Sequence, residues 1–136
     1  MMEHSEIAAE ASPEAVRDIV QAIIDQVEVK IVLAPSPAMV MVRQVDPLEN
    51  VPFLLGEAFV TECEVAVDDC RGYGCVLGAG DERALLSALL DAVVGGGHRA
   101  AAEVIPLLAA EESRIRARWD RESRAAATTR VAFDVR

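Results

Sequence analysis

The sequence predicts an α+β domain: a mostly antiparallel β-sheet with helices packed on one face, two layers in a single unit over residues 1–136. Three observations predict it. Residues 27–45 and 53–67 are rich in β-branched side chains and partly alternate apolar with polar positions, the period of a strand. Residues 13–27 and 82–94 repeat apolar side chains at three- and four-residue intervals, the period of a helix face. A chain of 136 residues that is 52% hydrophobic has enough apolar surface for one real core and too little length for two ordinary domains.

The elements follow in order. Residues 1–11 show no ordering signal and are expected to be flexible. Ser12-Pro13-Glu14-Ala15 starts a helix, with Ser12 as cap, Pro13 at the first helical position and Glu14 at the positive dipole end. Val16, Ile19, Val20, Ile23, Ile24 and Val27 give it an apolar stripe that needs cover, in this chain or another. Val27 to Leu33 reads as a strand. Pro35-Ser36-Pro37 interrupts it, because proline lacks a ladder donor, and Met39 to Val45 resumes as a second strand that could pair with the first. Asp46 to Pro52 is a polar, proline-bearing loop.

Phe53 to Val67 is the longest strand candidate. Phe59, Thr61, Cys63, Val65 and Val67 fall on one face, and Ala58, Val60, Glu62, Glu64 and Ala66 on the other. Asp68 to Gly72 is a turn, and Tyr73 to Leu77 a short strand paired back through it. After Gly80, a second helix carries Leu85, Leu86, Leu89, Leu90, Val93 and Val94, and Gly95-Gly96-Gly97 ends it. A third helical region runs from about His98 to Ala125, with a restart at Pro106 and a buried side of Val104, Leu108, Ile115 and Trp119. Thr128 to Val135 has strand character.

Charge excludes whole classes of function. Thirteen basic against twenty-three acidic side chains give −10, a field that repels nucleic-acid backbones and anionic membranes. No run approaches the roughly 18 uncharged apolar residues of a membrane helix. The first fifteen residues carry four Glu and no Lys or Arg, unlike a secretory leader, so a cytoplasmic location is expected. The charge is uneven: residues 1–113 balance at −14 and residues 114–136 at +4. Arg114, Arg116, Arg118, Arg121 and Arg124 form either a solvated face supported by Glu112–Arg116 and Asp120–Arg124 pairs, or a docking strip for an acidic partner or phosphate-bearing ligand.

Little here suggests catalysis. Cys63, Cys70 and Cys75 lack the C-x2-C spacing of zinc or redox motifs, and with His98, Asp68 and Asp69 they make only a paper ligand set. They read as small buried hydrophobes, and no metal site is assigned. Gly72, Gly74, Gly78 and Gly80 match neither a dinucleotide fingerprint nor a Walker loop, and Asp81 and Glu82 sit where an anion would bind. Tight turns and close backbone packing are the expected roles. Glu62 and Glu64 share a strand face and could do acid–base or metal work, or simply meet solvent. His4 and His98 have no evident catalytic partner, and no catalytic residue is assigned.

One block is more specific. Phe53, Leu55-Gly56-Glu57 and Val60-Thr61, then Val65, Gly72-Tyr73-Gly74, Val76-Leu77-Gly78, and Ala84 with Ala88-Leu89-Leu90-Asp91-Ala92, resemble the PhnG family, the small G subunit of the carbon–phosphorus lyase system for phosphonate breakdown. Pro37 to Arg43 and Ala126 to Phe133 resemble flanking stretches of that family. The motif positions are Arg43, Gly56, Glu57, Thr61, Gly72, Gly74, Gly78 and Asp91.

The resemblance implies a subunit role with no cofactor in this chain. The expected partners are PhnI chiefly, with PhnH, PhnJ and PhnL, in a complex that replaces adenine of MgATP by a phosphonate to give ribose 1-methylphosphonate 5-triphosphate. Residues 13–27 and 114–136 are the expected partner contacts, with 126–136 as a docking tail. Two alternatives stand beside it. One is a stand-alone metal or acid–base enzyme using Glu62, Glu64 and the cysteines. The other is a homodimeric binding module that swaps its N-terminal helix.

Overall fold

In the computed structural model, which describes residues 2–134 with side chains through residue 127, three antiparallel strands lie in the order β1 (Val29–Val45), β2 (Pro52–Val67) and β3 (Cys70–Leu77). The helices α1 (His4–Glu10), α2 (Pro13–Gln21), α3 (Asp81–Leu90) and α4 (Ala101–Asp134) gather on one face of this sheet. This is the α+β arrangement the periodicities predict. The helical layer has depth: α3 rests on β2 and β3, and α1, α2 and α4 close over it from behind.

Why α3 sits so close follows from side chains that are missing. Gly72 and Gly74 face it from β3, and Ala84, Ala88 and Ala92 face back at four-residue spacing. A Cβ on Gly72 would lie 2.2 Å from the Ala92 nitrogen and 2.3 Å from the Ala88 oxygen. One on Gly74 would lie 2.3 Å from the Ala84 oxygen. Helix and strand therefore touch backbone to backbone. Around that contact Cys63, Val65 and Val67 of β2 pack against Leu90 and Val93, all essentially buried. The Asp68-Asp69 turn joins β2 to β3 with Val67 opposite Cys70, and Asp68 adopts the left-handed conformation at φ +52°. After α3 the chain makes one π-helical turn, Asp91–Gly95, and Gly97 turns at φ +72°.

The structure departs from the sequence reading at several points, each with a physical reason. Residues 4–10 form α1, with Ile7 and Ala8 buried. Its C-terminal carbonyls are satisfied by Arg83, which donates to Ala8, Ala9 and Ala11 oxygens at 2.9, 2.8 and 3.1 Å. No local sequence signal announces such a distant cap. The apolar stripe of α2 finds its cover in this chain: Val16, Ile19, Val20 and Ile23 are all buried in the common core. Pro35-Ser36-Pro37 does not split β1, since β1 is an edge strand and register shifts at 31/33 and 33/36 absorb the missing donors. Strands β1 and β2 pair instead around the 46–51 turn, where Asp46 accepts from Leu48 N–H at 2.8 Å.

Helix α4 passes through Pro106 without a restart, because buried Val104 and Leu108 clamp the turns on either side. Its backbone stays helical to Asp134 where a strand is expected; propagating an existing helix is easier than ordering a strand with no partner. Residue Val135 of that expected strand lies outside the described residues. Trp119, expected on the buried side, is 40% exposed, since α4 has by then run past the body. Phe59 is likewise exposed, one step beyond the reach of α3.

The backbone contact yields a stability prediction. Gly72→Ala is expected to cost about 3 kcal/mol, because backbone rather than a movable side chain blocks the new methyl. Cys75→Ala, three residues along on the uncovered face, is expected to stay within about 0.5 kcal/mol. Urea denaturation of the two variants checks both.

Candidate functional site

The polar groups that could do chemistry are spent on holding the fold. His98 is buried, its Nε2 lies 2.6 Å from Asp68 Oδ2, and its Nδ1 accepts the Ala100 N–H at 2.9 Å. With Nδ1 an acceptor, the ring proton sits on Nε2 and points at the carboxylate, so neither nitrogen is left to act on a substrate. Asp68 also accepts the Glu28 N–H, and it thereby ties the β2–β3 turn to the start of β1 and to the segment before α4. His98 above all, then Glu28, hold the Asp68 carboxyl below its ordinary range.

Asp91 plays the same part elsewhere. One oxygen lies 2.7 Å from His4 Nε2 and the other accepts the Tyr73 N–H at 2.9 Å, so α1, α3 and β3 meet at one carboxylate. Thr61 donates to the Gly78 oxygen at 2.6 Å and accepts from Gly80 N–H at 3.2 Å, fixing the β3–α3 turn where Gly78 takes φ +72°.

Glu62 and Glu64 do share the uncovered face, but each has a neighbour: the Tyr73 hydroxyl donates to Glu62 at 2.9 Å, and Arg71 pairs with Glu64 at 3.0 Å. The hydrogen bond to Glu62 raises the Tyr73 phenol well above its usual range. Cys63 is sealed in the core, where burial pushes its thiol up, and Cys75 faces away from it on the other side of the sheet. Among the described residues no group of three His, Cys, Asp or Glu is placed to hold a metal ion. An apolar depression of about 430 Å³ between α1 and α4, lined by Met2, Ile7, Val94, Ile105 and Leu108, offers Glu3, His4 and Glu112 as polar groups, of which His4 and Glu112 are engaged.

The arginine strip is also largely occupied within the chain. Arg114 pairs with Glu111, Arg116 with Glu112, Arg124 with Asp120, and Arg118 with both Glu122 and Glu10 of α1. Arg118 and Glu112, which accepts the Met2 N–H, thus strap the N-terminal helix to α4. The Met2 contact, with help from Arg116, holds the Glu112 carboxyl low.

What the fold leaves uncovered is a long hairpin. Beyond the level of Leu77 opposite Val60, β3 ends, and β1 and β2 continue alone through the 46–51 turn. The free part, the arm, pairs Met39–Val45 with Pro52–Phe59, about 23 Å of two-stranded ribbon at strand rise. Cross-strand pairing sorts its side chains. Met39, Met41, Arg43, Leu54, Glu57 and Phe59 share one face, and Val40, Val42, Phe53 and Ala58 share the other. Both faces meet solvent: Met41 is 58% exposed, Phe53 45%, and Leu48 at the tip 94%. Together these side chains present on the order of 1,000 Å² of apolar surface, about twice the largest patch of a typical monomer and about what one side of a standard interface buries. A two-stranded ribbon without a packed face is marginal in water on its own. The alternation in 53–67 is visible in the sequence, but nothing there tells that β3 and α3 stop short of residue 59.

Comparison with known proteins gives two matches. The family model described as "Phosphonate metabolism protein PhnG" matches residues 2–136. A protein of Rhizobium meliloti (strain 1021), named alpha-D-ribose 1-methylphosphonate 5-triphosphate synthase subunit PhnG, is 37% identical over 118 residues, 82% of this chain and 72% of the relative. The motif positions divide between two structural roles. Thr61, Gly72, Gly74, Gly78 and Asp91 build the contact of α3 with the sheet, whereas Arg43, Gly56 and Glu57 lie on the arm.

The two lowered carboxyls set an acid limit. Their folded pKa values lie below the unfolded ones, so the stabilisation is complete above about pH 4, the ordinary carboxylate range, and drains away as pH falls through the folded values. The urea midpoint is expected to drop below about pH 4, and Asp68→Asn to lower it at neutral pH while making that acid limb shallower.

Proposed function

The chain belongs to the PhnG family of phosphonate metabolism proteins, and from that premise we propose that it is a non-catalytic, complex-forming subunit of a cytoplasmic alpha-D-ribose 1-methylphosphonate 5-triphosphate synthase. In this reading the assembled complex exchanges the adenine of MgATP for a phosphonate, and the present chain supplies assembly surface rather than reacting groups. One observation carries it above all: a body with its own closed core projects a ribbon whose two faces are both apolar and both open. The state of both histidines supports the same reading, since His4 and His98 are each engaged by a carboxylate of this chain.

The partners in this proposal are PhnI first, then PhnH, PhnJ and PhnL. The arm is the primary contact. The strip Arg114–Arg124 is a secondary one, through exposed guanidinium edges such as Arg121. A single arginine reversal there is expected to weaken assembly less than a charge placed on the arm.

The test is affinity purification of the tagged chain from cells grown on a phosphonate as sole phosphorus source. A stoichiometric set of larger subunits is expected, and the chain alone is expected to leave MgATP and methylphosphonate unchanged. Recovery of the chain by itself, or with an equivalent of tightly bound zinc or iron, would overturn the proposal.

A further inference from the structure

Taking the subunit reading as given, we infer that the arm is held by a folded partner subunit, not by a second copy of this chain, in an apolar cleft with a basic rim that closes over both faces of the ribbon. The inference names a mode and a chemistry, and three features of the arm argue for them.

The first is area. The roughly 1,000 Å² exposed on the arm suffices for one side of a stable interface only if both faces are covered, since either face alone offers about half of that. A flat partner surface would leave Val40, Val42 and Phe53, or else Met39, Met41 and Phe59, in water.

The second is the state of the edges. Glu57 turns its N–H and C=O to the free side, as does Phe59, whose oxygen already accepts from Gly78 at 2.8 Å. Just past Glu57 the strand is bulged, with Val42 opposite Gly56 and Arg43 opposite Leu54, and Gly56 at φ +149°. Pro52 closes the far end of β2. Prolines and bulges are how sheet edges are kept from recruiting another strand. Strand addition is guarded against on the β2 edge while the faces are left open.

The third is charge. Residues 38–64 carry five acids, Asp46, Glu49, Glu57, Glu62 and Glu64, against the single base Arg43, within a chain of net −10. A second copy would bring two acidic bodies together around the same ribbon. A rim of Lys and Arg would instead meet Glu62 and Glu64 at the arm's base and Asp46 and Glu49 at its tip.

The experiment is the affinity purification described above, run on the full-length chain with one charge placed on each face: Met41→Lys and, separately, Val42→Lys. Each side chain is solvent-exposed in the free chain, so far-UV circular dichroism and urea midpoints are expected to match the wild type. Each variant is expected to recover about tenfold less of the larger subunits, because the lysine would be buried without a partner. Glu57→Pro removes one outward donor at the free edge, and its recovery is expected to equal that of Glu57→Gln. Sedimentation of the isolated wild-type chain is expected to show a monomer. Association of the purified chain with the purified remaining subunits is expected to slow about tenfold between about 50 and 500 mM salt.

A wild-type chain recovered alone overturns both this inference and the subunit reading. Undiminished recovery by either face variant overturns the enclosure alone, and so does loss with Glu57→Pro but not with Glu57→Gln. A stable dimer abolished by Met41→Lys overturns the choice of partner, and indifference to salt overturns the basic rim.

Discussion

Everything in the body is set by one close approach. Two glycines on β3, two alanines on α3 and Ala92 in the π turn that continues it let a helix lie directly on strand backbone, closer than side chains normally permit. That contact brings Leu90 and Val93 down onto Cys63, Val65 and Val67, and it leaves the far side of α3 free to receive Ile7, Val16, Ile19 and Val20 from the two N-terminal helices. It also accounts for where the polar groups of Asp91 and Thr61 fall. Asp91 reaches the Tyr73 N–H because the π turn stays pressed against β3, and Thr61 reaches Gly78 and Gly80 because the turn into α3 must be tight. Glycines that look like a phosphate loop in one dimension are, in three, the fittings of a helix–strand joint.

A consequence is that the molecule divides cleanly in what its parts are for. The body satisfies itself: its buried side-chain polar atoms are partnered among the described residues, its N-terminus is strapped down, and most of its arginines have carboxylates close by. The arm satisfies nothing in its own chain beyond the ladder between its two strands. A ribbon of this kind gains little from burial while both of its faces stay in water, so it is the part of the fold with the least stabilisation of its own.

Much of this was legible in the residues. The helix start at Ser12-Pro13, the helical period after Gly80, the alternation of 61–67 and the packing role of Gly72 and Gly74 all reappear, because each rests on local chemistry. The first helix stops at Gln21 rather than 27, and the turn expected over 68–72 is tighter, with β3 starting at Cys70. The failures share a different cause. Residues 4–10 look unordered because their cap, Arg83, is more than seventy positions away. Pro35 and Pro37 look like a break because edge position is a property of the sheet, not of the segment. The Glu112–Arg116 and Asp120–Arg124 pairs are visible in the spacing, but the pairing of Arg118 with Glu10 is not, because the two meet only after folding. The arm itself was the largest omission: Met39, Val42 and Phe53 read as ordinary strand residues, and only the finished fold shows that no layer comes to cover them.

The open arm also bears on the life of the protein before it is assembled. A newly made copy shows the cell a strip of Met, Val, Leu and Phe that a mature copy would hide, the kind of surface that chaperones and quality-control proteases grip. On the proposed assembly, copies made in excess of their partners would keep that surface open, and with it their exposure to such factors.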